Sequence, residues 1–207
     1  CFQIHPSKEG RDEELLGSGL NRLAKLTSKT LSGTSMFDPV LAETMLAWFC
    51  PEGGRVIDPF AGGSVRGLVT AYTGRKYVGM DLSQMQIEAN ETNYWRLKGT
   101  SDFYGNQLEH PIWICGDSAT IDAVCKDKGK FDFLLSCPPY ADLEKYSDDP
   151  RDLSNMEYSQ FVETYRDIIR KATSLLKENA FAVCVVGEVR SKSGAYYSFV
   201  PDTIQAF

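Results

Sequence analysis

With 207 residues, 43% of them hydrophobic and 24% charged, the chain can bury one core without disulfide or metal staples, so a single globular domain is expected. Its net charge of -6 excludes nucleic-acid binding through overall charge, and any such partner must meet a local patch or segments outside these residues. No apolar stretch reaches the ~18 residues of a membrane span, and no signal peptide, repeat or low-complexity tract is visible.

Six cysteines are present: Cys1, Cys50, Cys115, Cys125, Cys137 and Cys184. None forms a C-x-x-C pair and several lie in apolar runs, so they read as buried thiols of a reducing compartment. His5 and His110 are too scattered for a metal centre, and no metal is expected. The expectation is a cytoplasmic protein without a membrane partner. The chain starts at Cys1 and not at Met, so the natural N-terminus, with or without a removed signal, is expected upstream.

Residues 1–34 are polar and mixed in charge. A short helix over Asp12 to Lys25 fits, with Arg22, Lys25 and Lys29 on one face, either solvated or phosphate-binding. The segment 35–207 is expected to form the folded domain. Asp38-Pro39 reads as an N-cap followed by proline at the first helical position. Val40, Leu41, Met45, Leu46 and Phe49 carry that helix to Cys50-Pro51, where Gly53-Gly54 follows.

Arg55 to Gly67 then reads as a short strand, a glycine turn and a helix opening. Adjacent glycines allow a tight bend and close approach to a ligand. The order is Gly62-Gly63-x-x-x-Gly67, not the dinucleotide fingerprint, and there is no P-loop lysine. A bare strand-to-helix turn would also use such glycines. Lys76 to Asp81 is a second strand ending in an acid about twenty residues on, where nucleotide-binding folds place a ribose-binding carboxylate. Asp81 could equally serve the start of the next helix, whose capping box is Ser83 and Gln86 and which runs to about Leu97.

Ile112 to Asp117 reads as a third strand, again ending in an acid, and Phe131 to Ser136 as a fourth. Two prolines then force the chain out of the sheet at Cys137-Pro138-Pro139-Tyr140. Pro138, itself followed by proline, is held extended, which limits where its carbonyl points. An acceptor carbonyl beside the Tyr140 ring suits a planar heterocycle held by its amino group; an ordinary Pro-Pro turn with Tyr140 covering the core is the other reading. An acidic loop runs from Ala141 to Leu153, and Ser154 with Glu157 reads as a capping box. Phe161, Tyr165, Ile168, Ile169, Ala172, Leu175 and Leu176 mark one face of a long helix. Phe181 to Gly187 is a fifth strand, and a last helix starts near Pro201. Alternating strands and helices predict an α/β fold, a mostly parallel sheet with helices on both faces. Ligands bind such sheets at the carboxyl ends of the strands, and all four candidate segments fall there.

These residues resemble the S-adenosylmethionine-dependent DNA amino-methyltransferases of adenine N6 and cytosine N4. Asp58-Pro59-Phe60-Ala61-Gly62-Gly63-Ser64 is similar to their D-P-F-x-G-S-G cofactor loop, and Ser136-Cys137-Pro138-Pro139-Tyr140 to their catalytic D/N/S-P-P-Y. Ser35 to Pro39 is similar to the segment that packs on the methionine part of the cofactor. The likeness runs from about Ser35 to Gly187, with the glycine loop and C-P-P-Y in the family's order.

The resemblance implies a Rossmann-like class I methyltransferase fold with S-adenosyl-L-methionine as cofactor. Phe37, Asp58, Phe60, Ala61, Gly62, Gly63, Ser64, Asp81, Leu82, Asp117 and Ser118 would bind it. Cys137, Pro138, Pro139 and Tyr140 would carry catalysis on a base flipped out of DNA, as in restriction–modification systems, in a nucleoid-associated location. The fold usually has seven strands, so the C-terminal strands are expected to be missing from a chain ending at Phe207, and target recognition to lie in segments or subunits outside it. Two departures stand out. The loop reads Gly-Gly-Ser, and Cys137 replaces the Asp, Asn or Ser that accepts a hydrogen bond from the target amine. Thiol sulfur is a weak acceptor, which shifts the work towards the Pro138 carbonyl.

Other readings remain open at the level of sequence. Cytosine carbon-5 methylation would use Cys137 as nucleophile with Glu188 assisting, although such enzymes place the cysteine after proline. RNA or a protein glutamine could be the amine substrate. A catalytically silent, cofactor-binding subunit is the reading outside enzymes.

Overall fold

The computed structural model describes residues 36–97, 99–140, 145–191 and 194–207. The helix expected over Asp12 to Lys25, the rest of the segment 1–34, Ser35, Asp142 and Glu144 lie outside the described residues. Helix α1 spans Pro39–Phe49 and begins as the sequence indicates: Asp38 accepts hydrogen bonds from the Val40 and Leu41 N–H groups at 2.7 and 3.2 Å. The chain then alternates: β1 Arg55–Asp58, α2 Val65–Tyr72, β2 Lys76–Asp81, α3 Gln84–Trp95 and β3 Ile112–Cys115. A short 3-10 turn, Ser118–Thr120, leads into α4, Ile121–Val124. After it come β4 Phe131–Ser136, α5 Tyr158–Ser174, β5 Leu176–Cys184 and α6 Phe199–Ala206.

The five strands form one sheet in the order β3-β2-β1-β4-β5, every neighbouring pair parallel. Parallel pairing needs crossovers, and the helices supply them on both faces. On one face Val56, Tyr77, Phe133 and Leu135 pack with Ala42 and Leu46 of α1 and Leu68 and Val69 of α2. On the other, Ile57, Val78, Met80 and Leu134 meet Ile121 and Cys125 beside Ala172 and Leu175. The strict alternation of Val56 with Ile57, and of Phe133 with Leu134, puts each residue on its own side of the sheet. Among the described residues no helix is long and apolar enough to cross a membrane.

Several boundaries differ from expectation, each for a local reason. β3 ends at Cys115, because Asp117 turns the chain by accepting the Ala119 N–H at 2.9 Å. Ser83 caps α3 by accepting from Gln86, but the Gln86 side chain goes forward to Asn90 and not back to the cap, so half of the capping box forms. The box expected at Ser154 and Glu157 does not form. Asp152 instead caps a 3-10 turn over Leu153–Asn155, and α5 starts at Tyr158 without a side-chain cap. β5 begins at Leu176, earlier than the expected Phe181. Leu176 pairs with Phe131, the chain bulges through Asn179 (φ 59°), and the ladder resumes with Phe181 opposite Phe133.

One glycine is required by close approach. Asp58 and Gly79 are register partners across β1 and β2, and the Tyr77 ring lies across Gly79 to bring its hydroxyl within 2.8 Å of the Asp58 carboxylate. A Cβ at position 79 would stand 2.5 Å from that hydroxyl oxygen. Gly79→Ala is therefore expected to lower the free energy of unfolding by about 1–3 kcal/mol, the usual cost of overpacking, measurable by urea denaturation. Unchanged stability would mean that the ring can move aside freely.

Candidate active site

Because the strands are parallel neighbours, their carboxyl ends share one rim, and four segments meet there: Asp58–Ser64, Asp81–Leu82, Asp117–Ser118 and Cys137–Tyr140. Direct bonds join them. The Gly62 N–H donates to Asp81 Oδ2 at 2.9 Å. The Ser118 hydroxyl donates to the Pro59 carbonyl, and the Ser136 hydroxyl to Asp58 Oδ1 at 2.5 Å. Leu82 offers its carbonyl to the Cys115 thiol, 3.7 Å away.

The glycine loop is held on every side. Ala61 N–H donates to the Met80 carbonyl at 2.9 Å, Asn90 Nδ2 to the Gly62 carbonyl at 2.8 Å, and Asn93 Nδ2 to Ser64 Oγ at 3.0 Å. Gly62 takes φ 51°, a left-handed conformation that glycine adopts at no steric cost. Gly63 is exposed, and a Cβ there would meet nothing within 4 Å, so open space lies in front of the turn. Asp81 accepts from Gly62 with one oxygen and from Ser83 N–H with the other, at 2.8 Å. Burial raises its pKa above the ordinary 3.8, although those two backbone bonds pull the other way. Two lone-pair sites remain on that carboxylate. Asp117, half-buried, caps the turn after β3.

Asp58 is wholly buried, and its carboxylate is surrounded by protein donors. Oδ1 accepts from Phe60 N–H at 3.0 Å as well as from Ser136. Oδ2 accepts from Arg66 Nε at 2.7 Å and from the Tyr77 hydroxyl at 2.8 Å. Arg66 Nη2 reaches the Phe60 and Ala61 carbonyls at 2.6 and 3.0 Å, and its guanidinium lies 4.8 Å above the Phe37 ring. The sequence alone does not single out Arg66, Tyr77, Asn90 or Asn93, and Ser136 enters it only as the residue that opens the C-P-P-Y motif. A signal was present, since Arg66 and Tyr77 are polar groups on otherwise apolar, inward-facing elements.

At the other side of the rim, Pro138 is buried, while Cys137, Pro139 and Tyr140 are partly exposed. Burial pushes the Cys137 thiol pKa up, partly opposed by nearby Arg66 and a hydrogen bond with Tyr140. Such a thiol has little thiolate character. The Tyr140 ring meets Phe199 edge-on at 5.8 Å, and Phe199 packs on Phe161 and Tyr165 at 5.5 Å each. Tyr165 in turn lies 5.9 Å from Phe60 of the glycine loop. Glu188 is exposed beyond β5.

A parallel sheet of this order, with a glycine loop after its central strand, is the Rossmann-like class I methyltransferase fold. A putative rRNA methylase from Clostridium thermocellum matches it with TM-score 0.57 and 14% identity, over 84% of this chain and 83% of that chain. The rRNA methyltransferase aviRa from Streptomyces viridochromogenes matches with TM-score 0.53 and 14% identity, over 81% and 80%. A SAM-dependent methyltransferase from Agrobacterium tumefaciens matches 75% of this chain with TM-score 0.48 and 16% identity; the chain spans 45% of that protein's length. No protein-family model and no curated protein matches the chain. The likeness to the first two, at 14% identity, establishes the fold alone.

The contrast between the thiols is testable. Cys115 is exposed, whereas Cys137 is partly covered and its thiol is raised by burial. Timed alkylation at neutral pH followed by peptide mass spectrometry is expected to label Cys115 well before Cys137. Preferential labelling of Cys137 would indicate an activated thiol.

Proposed function

We propose that the chain carries the catalytic domain of an S-adenosylmethionine-dependent methyltransferase acting on the exocyclic amine of adenine or cytosine in DNA. The observation that carries this reading is the hydrogen bond from Ser136 to Asp58, which ties the C-P-P-Y motif to the root of the glycine loop. Donor and acceptor segments are thereby adjacent on one rim.

The rim suits the cofactor. Open space faces Gly63, the Asp81 carboxylate keeps acceptor capacity for ribose hydroxyls, and Phe37 offers an apolar wall beside the loop. Asp117 and Ser118 with Leu82 would flank the adenine, while Asp58 acts through the loop it holds. When bound, S-adenosylmethionine supplies an electrophilic methyl group on a sulfonium.

This chain's residues then prepare the amine. An aryl amine is a poor nucleophile because its lone pair is delocalised into the ring. The Pro138 carbonyl accepts one N–H and the Cys137 sulfur the other, which favours a pyramidal nitrogen with its lone pair turned outward. Pro139 stiffens the turn, and Tyr140, seated on Phe199, stacks on the base and partly offsets the cost of unstacking it from the duplex. In-line positioning supplies much of the acceleration. The raised Cys137 thiol argues against carbon-5 attack, which needs a thiolate.

The test is incubation of the full-length protein with methyl-labelled S-adenosylmethionine and DNA, RNA or protein, followed by mass spectrometry of the digests. Label is expected on an adenine or cytosine amino group of DNA. Cys137→Ser is expected to retain or raise that activity, and Tyr140→Ala to weaken base binding by about 1–3 kcal/mol. Label on cytosine carbon 5, lost in Cys137→Ser, would overturn the mechanism. Label confined to RNA or protein would overturn the substrate, and bound cofactor without transfer would indicate a silent subunit.

Asp81 makes a second prediction. Hydroxyl donors stabilise its ionised form, so cofactor binding lowers a pKa that burial has raised. Affinity for S-adenosylhomocysteine is expected to be full at neutral pH and to fall as pH drops through the raised Asp81 pKa. In Asp81→Asn, calorimetric titration should show weaker binding without that pH dependence. In the free protein the sign is opposite: the raised pKa favours the folded state below 3.8, and that contribution is lost as pH rises.

A further inference from the structure

Arg66 is 4% exposed, a charged side chain within the apolar helix α2. Packing alone would be met there by an aliphatic residue. Instead its guanidinium turns back to the strand tip and contacts three parts of the donor side: Asp58, the Phe60 and Ala61 carbonyls, and the Phe37 ring. A planar fork with several fixed donors holds such a set in one geometry, which a lysine ammonium cannot reproduce. The opposite oxygen of Asp58 takes the Ser136 hydroxyl, immediately before Cys137. A continuous chain thus runs from the half-buried Phe37 and Phe60 and the buried Ala61 through Arg66, Asp58 and Ser136 to the C-P-P-Y turn. Arg66, Asp58 and Ser136 are buried, and with water excluded the bonds among them are stiff.

We propose that Arg66 and Ser136 are positioning residues which, through the shared Asp58 carboxylate, set the separation between the methyl-donor loop and the Cys137–Tyr140 acceptor motif. Neither touches the reacting atoms. The inference rests on the methyltransferase reading above, and it matters for rate because in-line transfer tolerates little displacement: a misplacement of about 1 Å can cost about 100-fold.

The experiment uses the full-length protein, Ser136→Ala, Arg66→Lys and the double variant. S-adenosylhomocysteine is titrated calorimetrically, and kcat and KM are measured on the acceptor that the wild type methylates. Ser136→Ala is expected to bind S-adenosylhomocysteine within about twofold of wild type while kcat falls about 10- to 100-fold. Arg66→Lys is expected to weaken that binding and lower kcat, and the double variant to lose no more kcat than Arg66→Lys, because both act through one carboxylate. A kcat for Ser136→Ala within about twofold of wild type, or losses that multiply in the double variant, would overturn the proposal. If wild type itself fails to bind S-adenosylhomocysteine, the methyltransferase reading fails. If wild type binds it and Arg66→Lys binds equally well, the positioning role fails while that reading stands. Should Arg66→Lys not fold, Ser136→Ala decides alone, since it removes one hydroxyl and keeps the ion pair.

Discussion

The buried ion pair of Asp58 and Arg66 is the constraint on which the rim depends. Two charges out of water are tolerated only when their remaining hydrogen-bonding sites are filled, and removing one partner of such a pair typically costs about 3–5 kcal/mol. Here the filling groups are themselves informative. Asp58 is met by Tyr77 from β2, Ser136 from β4 and the N–H of Phe60, and Arg66 by two loop carbonyls. Satisfying one carboxylate therefore fixes the glycine loop, the neighbouring strand and the start of the C-P-P-Y turn together.

The two halves of the rim are stabilised by different physics. Around the glycine loop, polar groups of α3 and β2 act as clamps: Asn90, Asn93 and Asp81 each hold a specific backbone or hydroxyl group. Directional bonds of this kind specify one conformation. At the C-P-P-Y turn, Tyr140 rests on an aromatic cluster of Phe199, Phe161 and Tyr165 supplied by α5 and α6. Those contacts are apolar ring packing and not directional hydrogen bonds. Helix α6 is itself tied to α5 by Tyr158 and Arg166, which bond to Asp202 at 2.7 and 2.9 Å.

The acidity that weighs against a nucleic-acid partner is locally compensated near the rim. Among the described residues that follow Tyr140, Asp148 pairs with Lys145, and Arg151 holds the half-buried Asp149 carboxyl down to about 2. Asp152 is turned inward and caps a turn. The described part of that acidic stretch, from Lys145 on, thus forms short local pairs, which weakens any field those residues would project.

Most of the fold was legible in the residues alone. Short continuous apolar runs at 55–58, 76–81 and 131–136, a proline-led N-cap at Asp38, and the punctuation by glycine and Pro-Pro are local signals, and local backbone preferences largely decide them. The convergence of Asp58, Asp81, Asp117 and Cys137 on one rim followed from the parallel α/β pattern itself. Where a β5 bulge at Asn179 or an Asp152 cap competed with an equally good local pattern, only the folded chain could choose, since register depends on the partner strand. The Arg66–Asp58–Ser136 chain joins residues 8 and 78 positions apart, and nothing in either neighbourhood announces the other. What the sequence determined by itself was which segments would be strands, helices and turns. Tertiary structure alone decided which buried polar groups would satisfy one another, because that pairing arises only when separate elements exclude water from the same space.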